Sequence, residues 1–241
     1  MNTLFDPNGS FMSALRKLAD IVFCNLLFCL FSIPFFTTGA ALTALYASMQ
    51  LLVTDTDDED KSAVRVFLRS FKANFRQATA LWLIDLALIL FLGMYYMIVE
   101  TMTGPAARIY KVTFFVLVLL FLLATRYIFP IVARYNLSTR DVIRDGLLAS
   151  AGSLPWTLLT ILIPVVLVYV TVFMNPDNFS IAVFLWLTVG AGVVCYVNSF
   201  VIMHVFRRSG LEKTPDPVEK EEYQTPEEAD RDKYKDWNSR N

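Results

Sequence analysis

The sequence is poor in the residues from which soluble enzymes build their chemistry. A single histidine, His204, stands among 241 residues, which excludes His-rich metal centres and a Ser-His-Asp triad with a histidine to spare. The three cysteines, Cys24, Cys29 and Cys195, fall inside apolar runs without CxxC spacing and read as small buried hydrophobes. Neither a Walker A pattern nor GxGxxG occurs. Charge is scarce as well: Asp, Glu, Lys and Arg make up 18% of the chain, against about a quarter in soluble domains. No basic stripe lies on a polar surface, so nucleic acid is excluded as a partner. The expectation is a protein with no catalytic residues, no cofactor and no metal. Chemistry on carboxylates alone would rest on Asp85 and Asp20, the acids nearest the apolar runs, and Asp20 reads better as a boundary residue.

What the sequence has is apolar length. Hydrophobic residues make up 56% and the mean hydropathy is +0.50, the composition of an all-α, polytopic transmembrane bundle. The organising stretch runs from Phe11 to Val53, broken at Pro34 to Gly39. Pro34 cannot donate a backbone hydrogen bond, and Thr37, Thr38 and Gly39 supply capping hydroxyls and flexible backbone for a second helix from Ala40. Two helical halves follow, as a tight hairpin or one strongly kinked span. A cleavable signal peptide is not expected, because the apolar core is long and leads straight into more helix.

Four clearer spans are predicted at 78–99, 110–133, 147–173 and 179–206, each near the roughly twenty residues that cross a bilayer. With the N-terminal pair this makes five or six membrane helices. Residues 1–208 form the bundle and 209–241 a charged tail. The tail's low apolar content and mixed charge predict disorder, with Tyr234 and Trp237 as a candidate partner peptide. Within the bundle, 54–77 opens on the aqueous run TDTDDEDK. It continues as an amphipathic stretch with Val64, Phe67, Leu68, Phe71 and Phe75 on one stripe. This suits a helix lying at the headgroups or a solvated extension of the next span.

Lys and Arg placement sets the orientation. The 61–76 segment, the 134–144 loop and Arg207-Arg208 are basic, which predicts a cytosolic C-terminus. Arg16 and Lys17 favour a cytosolic N-terminus, and with it the hairpin.

Polar groups inside the spans are the residue-level clues, since each is expensive in lipid unless partnered. Asp85 and Arg126 come out at one depth on consecutive antiparallel spans, the arrangement of an ion pair. Asn25, Asn198 and Ser153 fall at a similar depth, giving a candidate intramembrane polar layer. Such a layer either fixes helix rotation and register or contacts a ligand. His204, near Arg207, reads as an interfacial group. Pro130, Pro155 and Pro164 are candidate kinks that free carbonyls.

The N-terminal stretch LADIVFCNLLFCLFSIPFFTTGAALTALY resembles the signature of the YesL-like bacterial integral membrane proteins. The matching positions are Asp20, Asn25, Ser32, Pro34, Thr38, Gly39, Ala40, Thr43, Ala44, Leu45 and Tyr46. FLRSFKANFRQATALW, from Phe67 to Trp82, is similar to the family's second signature. The resemblance covers residues 4–85, and the charged tail lies outside it. It implies a multi-pass protein of the bacterial cell membrane, of undetermined biochemical function and without established catalytic residues. Members often stand beside carbohydrate ABC transporters. The expected partners are therefore the lipid bilayer and ABC permease components or other membrane proteins. The function expected is that of a non-enzymatic accessory or assembly protein for solute uptake. The alternative is a small transporter or channel using the polar layer.

Overall fold

The computed structural model describes residues 10–54, 62–173 and 179–210. The start before Ser10, the acidic run after Thr54, the Asn-Pro-Asp-Asn connection and the tail lie outside the described residues. The described chain is helical throughout, with α1 Ser10–Phe31, α2 Thr38–Thr54, α3 Ala63–Thr101, α4 Pro105–Thr125, α5 Ile128–Arg134, α6 Thr139–Gly152, α7 Leu154–Val168, α8 Phe179–Leu185 and α9 Ala191–Ser209. A 3-10 turn, Phe35–Thr37, leads into α2, and π-helical turns follow α7 and α8 at Tyr169–Phe173 and Trp186–Gly190. Five stretches among the described residues are long and apolar enough to cross a membrane: 35–54, 63–101, 105–134, 154–173 and 179–209. This is the all-α polytopic bundle that the composition predicts. Helix α1 falls outside the five; Arg16, Lys17 and Asp20 sit within its 22 residues.

At Pro34 the chain doubles back. The Thr37 hydroxyl donates to the carbonyls of Phe31 at 2.5 Å and Pro34 at 2.7 Å, and Thr38 does the same for Phe35. The first of these bonds satisfies the last carbonyl of α1, which has no intrahelical donor, and the others tie the turn that follows it. Helix α1 then packs along α2, with Cys24 beside Ser48. The turn is a hairpin.

Helix α2 is the centre of the core. Ala40, Ala44, Leu45 and Met49 are wholly buried and Tyr46 nearly so. The small residues let α3 come close: a Cβ on Gly39 would lie 2.4 Å from the Trp82 Cβ and 2.6 Å from the Ala78 carbonyl oxygen. The Trp82 indole donates to the Phe35 carbonyl at 3.0 Å, and the Ser48 hydroxyl donates to the Ala63 carbonyl at 2.8 Å.

The amphipathic segment proves to be the first part of α3, one uninterrupted helix of 39 residues. Phe67 is buried in the core, and Val64, Phe71 and Phe75 pack against it. The Phe31 ring stands 4.6 Å from Phe71 and 6.0 Å from Phe67, centre to centre. The apolar stripe therefore meets protein; only Leu68 stays exposed.

Two predicted spans are divided. The 110–133 span breaks at Arg126–Tyr127, between α4 and α5. Pro130 explains the place, because it leaves the Arg126 carbonyl without a donor and its ring crowds that position four residues back. The 147–173 span begins at Leu154 instead: residues up to Gly152 belong to α6, and Ser153 (φ −135°, ψ 42°) leaves helical geometry between α6 and α7. Pro155 sits in the first turn of α7, where a missing N–H costs nothing. The second part of the 134–144 connection thus becomes the start of α6, capped by Ser138, whose side chain accepts from the Asp141 N–H at 3.4 Å.

Candidate functional site

Two clamps and one buried amide stand out among the polar groups inside the bundle. The first clamp joins α4 to α7. Pro164 stands inside α7 and has no N–H, so the Thr160 carbonyl has no donor in its own helix. Arg126 supplies one. Its guanidinium donates through Nη2 to the Thr160 carbonyl and through Nε to the Thr160 hydroxyl at 3.1 Å. The next residue repeats the link, with the Tyr127 hydroxyl and Thr157 Oγ1 sharing a hydrogen bond at 3.1 Å. Thr157 in turn donates to the carbonyls of Ser150 and Ser153, at 3.2 and 3.1 Å, which closes the α6–α7 junction. A break in one helix and a proline in another are mended by the same pair of neighbouring side chains.

The second clamp joins α1 to the entrance of α9. The π-helical turn Trp186–Gly190 shifts the backbone pairing, and Asn25 fills the gap as a peptide group would. Its Nδ2 donates to the carbonyls of Leu187 at 2.7 Å and Trp186 at 3.3 Å, while its Oδ1 accepts the Gly192 N–H at 2.8 Å. The approach needs a glycine: a Cβ on Gly192 would lie 2.9 Å from Ile21 Cγ2 and 3.3 Å from the Asn25 Cβ. The Trp186 indole is held by the Thr171 hydroxyl at 3.0 Å, so the two π-helical turns also touch.

The expected Asp85–Arg126 ion pair is not formed among the described residues. Arg126 is turned to α7. Asp85 is 5% exposed and continues the inner stripe of α3 through Phe67, Ser70, Ala78 and Leu81. The Tyr95 ring stacks with Phe114 and the Tyr96 ring tilts against it, a register that sets Asp85 within about a turn of Arg126 along the α3–α4 pair. Depth does not fix the direction in which a side chain points, and here Arg126 points to Thr160.

The remaining predicted members also part. Asn198 is wholly buried and stands beside Tyr46 and Cys195, but neither its Nδ2 nor its Oδ1 has a hydrogen-bond partner among the described residues. Ser153 is buried at the α6–α7 junction and takes part through its carbonyl. The predicted single layer is therefore not one network. Sequence reading missed Tyr127, Thr157, Thr160 and Gln50, all buried; the Gln50 amide donates to the Pro130 carbonyl at 3.1 Å. The spacing of Thr157 and Thr160 ahead of Pro164 was the available signal. His204 is exposed, with its ring 4.7 Å from that of Trp156.

Residues 21–96 match a family described as "Protein of unknown function, DUF624". The matched stretch takes in Asn25, the Pro34 turn, all of α2 and most of α3, and leaves Arg126, Ser153 and Asn198 outside. No curated protein and no solved structure matches the chain. Within the match, the residues singled out by sequence have structural tasks. Asn25 mends the π-helical turn, Gly39 admits Trp82, and Thr43 donates to the Gly39 carbonyl at 2.9 Å. Ala40, Ala44 and Leu45 are core; Asp20, just outside the match, is half-buried one turn before Cys24.

Among the described residues no group of three or more His, Cys, Asp or Glu side chains could hold a metal ion. The arrangement joins helices.

Proposed function

We propose that the chain is a non-enzymatic integral membrane protein that accompanies or assembles a solute-uptake system, in the multi-pass setting of a bacterial cell membrane that its YesL-like resemblance implies. One observation carries the reading most. The strongest polar side chains inside the bundle, Arg126 and Asn25, spend their hydrogen bonds on backbone groups freed by a proline and a π-helical turn. Groups committed in this way hold helices in register and are not free to pass a substrate along. The outward surfaces of α3, α4 and α7 carry large apolar side chains, including Phe91, Met97, Phe115 and Leu162, which suit contact with lipid or with the helices of another membrane protein.

Affinity purification of the full chain from its native membranes in a gentle detergent tests the reading. Co-purification of a permease component supports it, and recovery of the chain alone overturns it. The orientation belongs to the same proposal. In a background without the three native cysteines, cysteines placed at Asn8 and Ser62 should both be shielded from impermeant external thiol reagents.

A second reading, a small transporter or channel, draws support from Asn198, a wholly buried amide beside the Tyr46 hydroxyl. Proteoliposomes holding only this chain separate the two. Uptake of a candidate sugar that Asn198→Leu abolishes would favour transport over assembly.

A further inference from the structure

We propose that the outer face of α6 is a docking site for an anionic phospholipid. Helix α6 turns Val142, Gly146, Ala149 and Ser150 inward and lies on the α4–α5 break, with the Gly146 backbone near Ile128 and the Ala124 carbonyl. Its opposite face forms a shallow groove of about 460 Å³ lined by Arg140, Ile143, Arg144, Leu147 and Leu148. Arg140 and Arg144 are one turn apart and both exposed, and neither makes an ion pair or side-chain hydrogen bond among the described residues. The nearby carboxylates form no ion pair with them. Asp141 is engaged by the Ser138 hydroxyl at 2.6 Å, and Asp145 is half-buried on the flank. One turn further on, Leu147 and Leu148 are 45% and 60% exposed.

The order of these residues carries the argument. Helix α6 starts at the basic end of the bundle, where the Gln77 amide ties the Leu137 carbonyl at 2.9 Å. It ends at Ser153, where the Leu154–Phe173 span begins. Along its face two guanidinium groups therefore come first and two leucines follow, over about 12 Å of helix. A bilayer passes from phosphate to acyl chain in the same sense, through a polar layer of about 6 Å on each side. Guanidinium groups bind phosphate by paired hydrogen bonds, in a geometry that ammonium groups lack. Two unpaired arginines above two exposed leucines complement one phosphate and the start of one acyl chain. A soluble anion would leave the leucines without a role, and a zwitterionic lipid would answer the arginines with no net charge.

The full chain, purified and washed free of bulk lipid, is tested by native mass spectrometry in mixed phosphatidylglycerol and phosphatidylcholine. The wild type should retain phosphatidylglycerol in preference. Each basic residue near an anionic surface contributes about fivefold, so Arg140→Gln with Arg144→Gln should weaken retention about 30-fold. Either change alone should weaken it about fivefold, which keeps the test alive if the pair folds poorly. Lys72→Gln with Arg76→Gln removes two exposed charges from α3 and should leave retention within about twofold. Three results overturn the proposal: an equal loss in the α3 variant, which means diffuse attraction; no loss in the α6 variants; or displacement of the lipid by soluble glycerol phosphate, which means a free-anion site.

Discussion

The two halves of α3 belong to different surroundings. From Ala63 to Trp82 the helix is packed against α2 and the Pro34 hairpin, with Phe67 and Ala78 wholly buried. Beyond Asp85 the same helix carries Leu88, Phe91, Met94 and Met97 outward, and its most apolar stretch is 11% buried. The stretch from Phe35 to Thr54, beside the first half, is 72% buried. Composition separates them, since Arg65, Arg69, Lys72 and Arg76 all fall in the inner half, but it does not explain why the more charged half is the one that packs. What differs is side-chain size at the contact. Alanine, glycine and serine on α2 let backbones approach until side-chain hydroxyls and amides reach carbonyls on neighbouring helices, and close van der Waals packing replaces the hydrophobic drive that lipid removes. The outer half has large side chains and no such approach.

Substitutions that fill the inner contact should therefore be the most damaging. Gly39→Ala places a methyl group against the Ala78 carbonyl and the Trp82 Cβ, neither of which is a flexible side-chain tip, and should cost about 3 kcal/mol. Thermal unfolding in detergent reads it; an unchanged midpoint would dissolve the distinction between the halves. Asn25→Ala comes next. It strands the Trp186 and Leu187 carbonyls and the Gly192 N–H, with an expected loss of about 2 kcal/mol. Asn25→Asp keeps the acceptor but sets a carboxylate oxygen against those two carbonyls, and should cost at least as much as alanine.

The Arg126 clamp sharpens the comparison at the boundary between the halves. Arg126→Gln should destabilise by about 1.5 kcal/mol through the Thr160 carbonyl. Because Asp85 is not its partner, a double-mutant cycle with Asp85→Asn should give a coupling under about 0.5 kcal/mol. Restoration of stability in the double mutant would instead show that the two charges meet. The smallest effects belong to the outer half of α3 and to the α4 surface beside it. Leu90→Ala and Phe115→Ala, at 62% and 70% exposed, should each change the midpoint by the equivalent of less than about 0.5 kcal/mol. A larger loss, present in native membranes and absent in detergent, would mark a protein contact on that surface.

These expectations follow a boundary that the sequence showed only in part. Helix content, the Pro34 hairpin and the number of apolar spans were legible, because proline, glycine and uninterrupted hydrophobicity act locally. Asn25 and Arg126 could be singled out, because polar groups within apolar runs need partners. Their partners could not. Arg126 and Asp85 sit at matching depth, but facing is set by how α4 rotates against α7, and that depends on a carbonyl freed by Pro164, in another helix. The Asn25 site depends on a π-helical turn at Trp186–Gly190 that no residue pattern announces. The amphipathic stripe from Val64 to Phe75 was visible, but the same stripe fits lipid, water-facing extension or protein, and only α1 and α2 decide among them.

The continuity of α3 fixes a rotational phase across the molecule. Thirty-nine residues without a break make a rod of about 58 Å, close to twice the hydrocarbon thickness it has to cross. Each residue advances the helix by about 100°. A single residue inserted between Gln77 and Ala78 would leave Phe67 in the core, yet turn Leu81 and Asp85 off their stripe and swing the α3–α4 hairpin about the axis. The helix works as a dial as well as a strut: the angle set where it rests on α2 determines which side chains the far half shows to its surroundings.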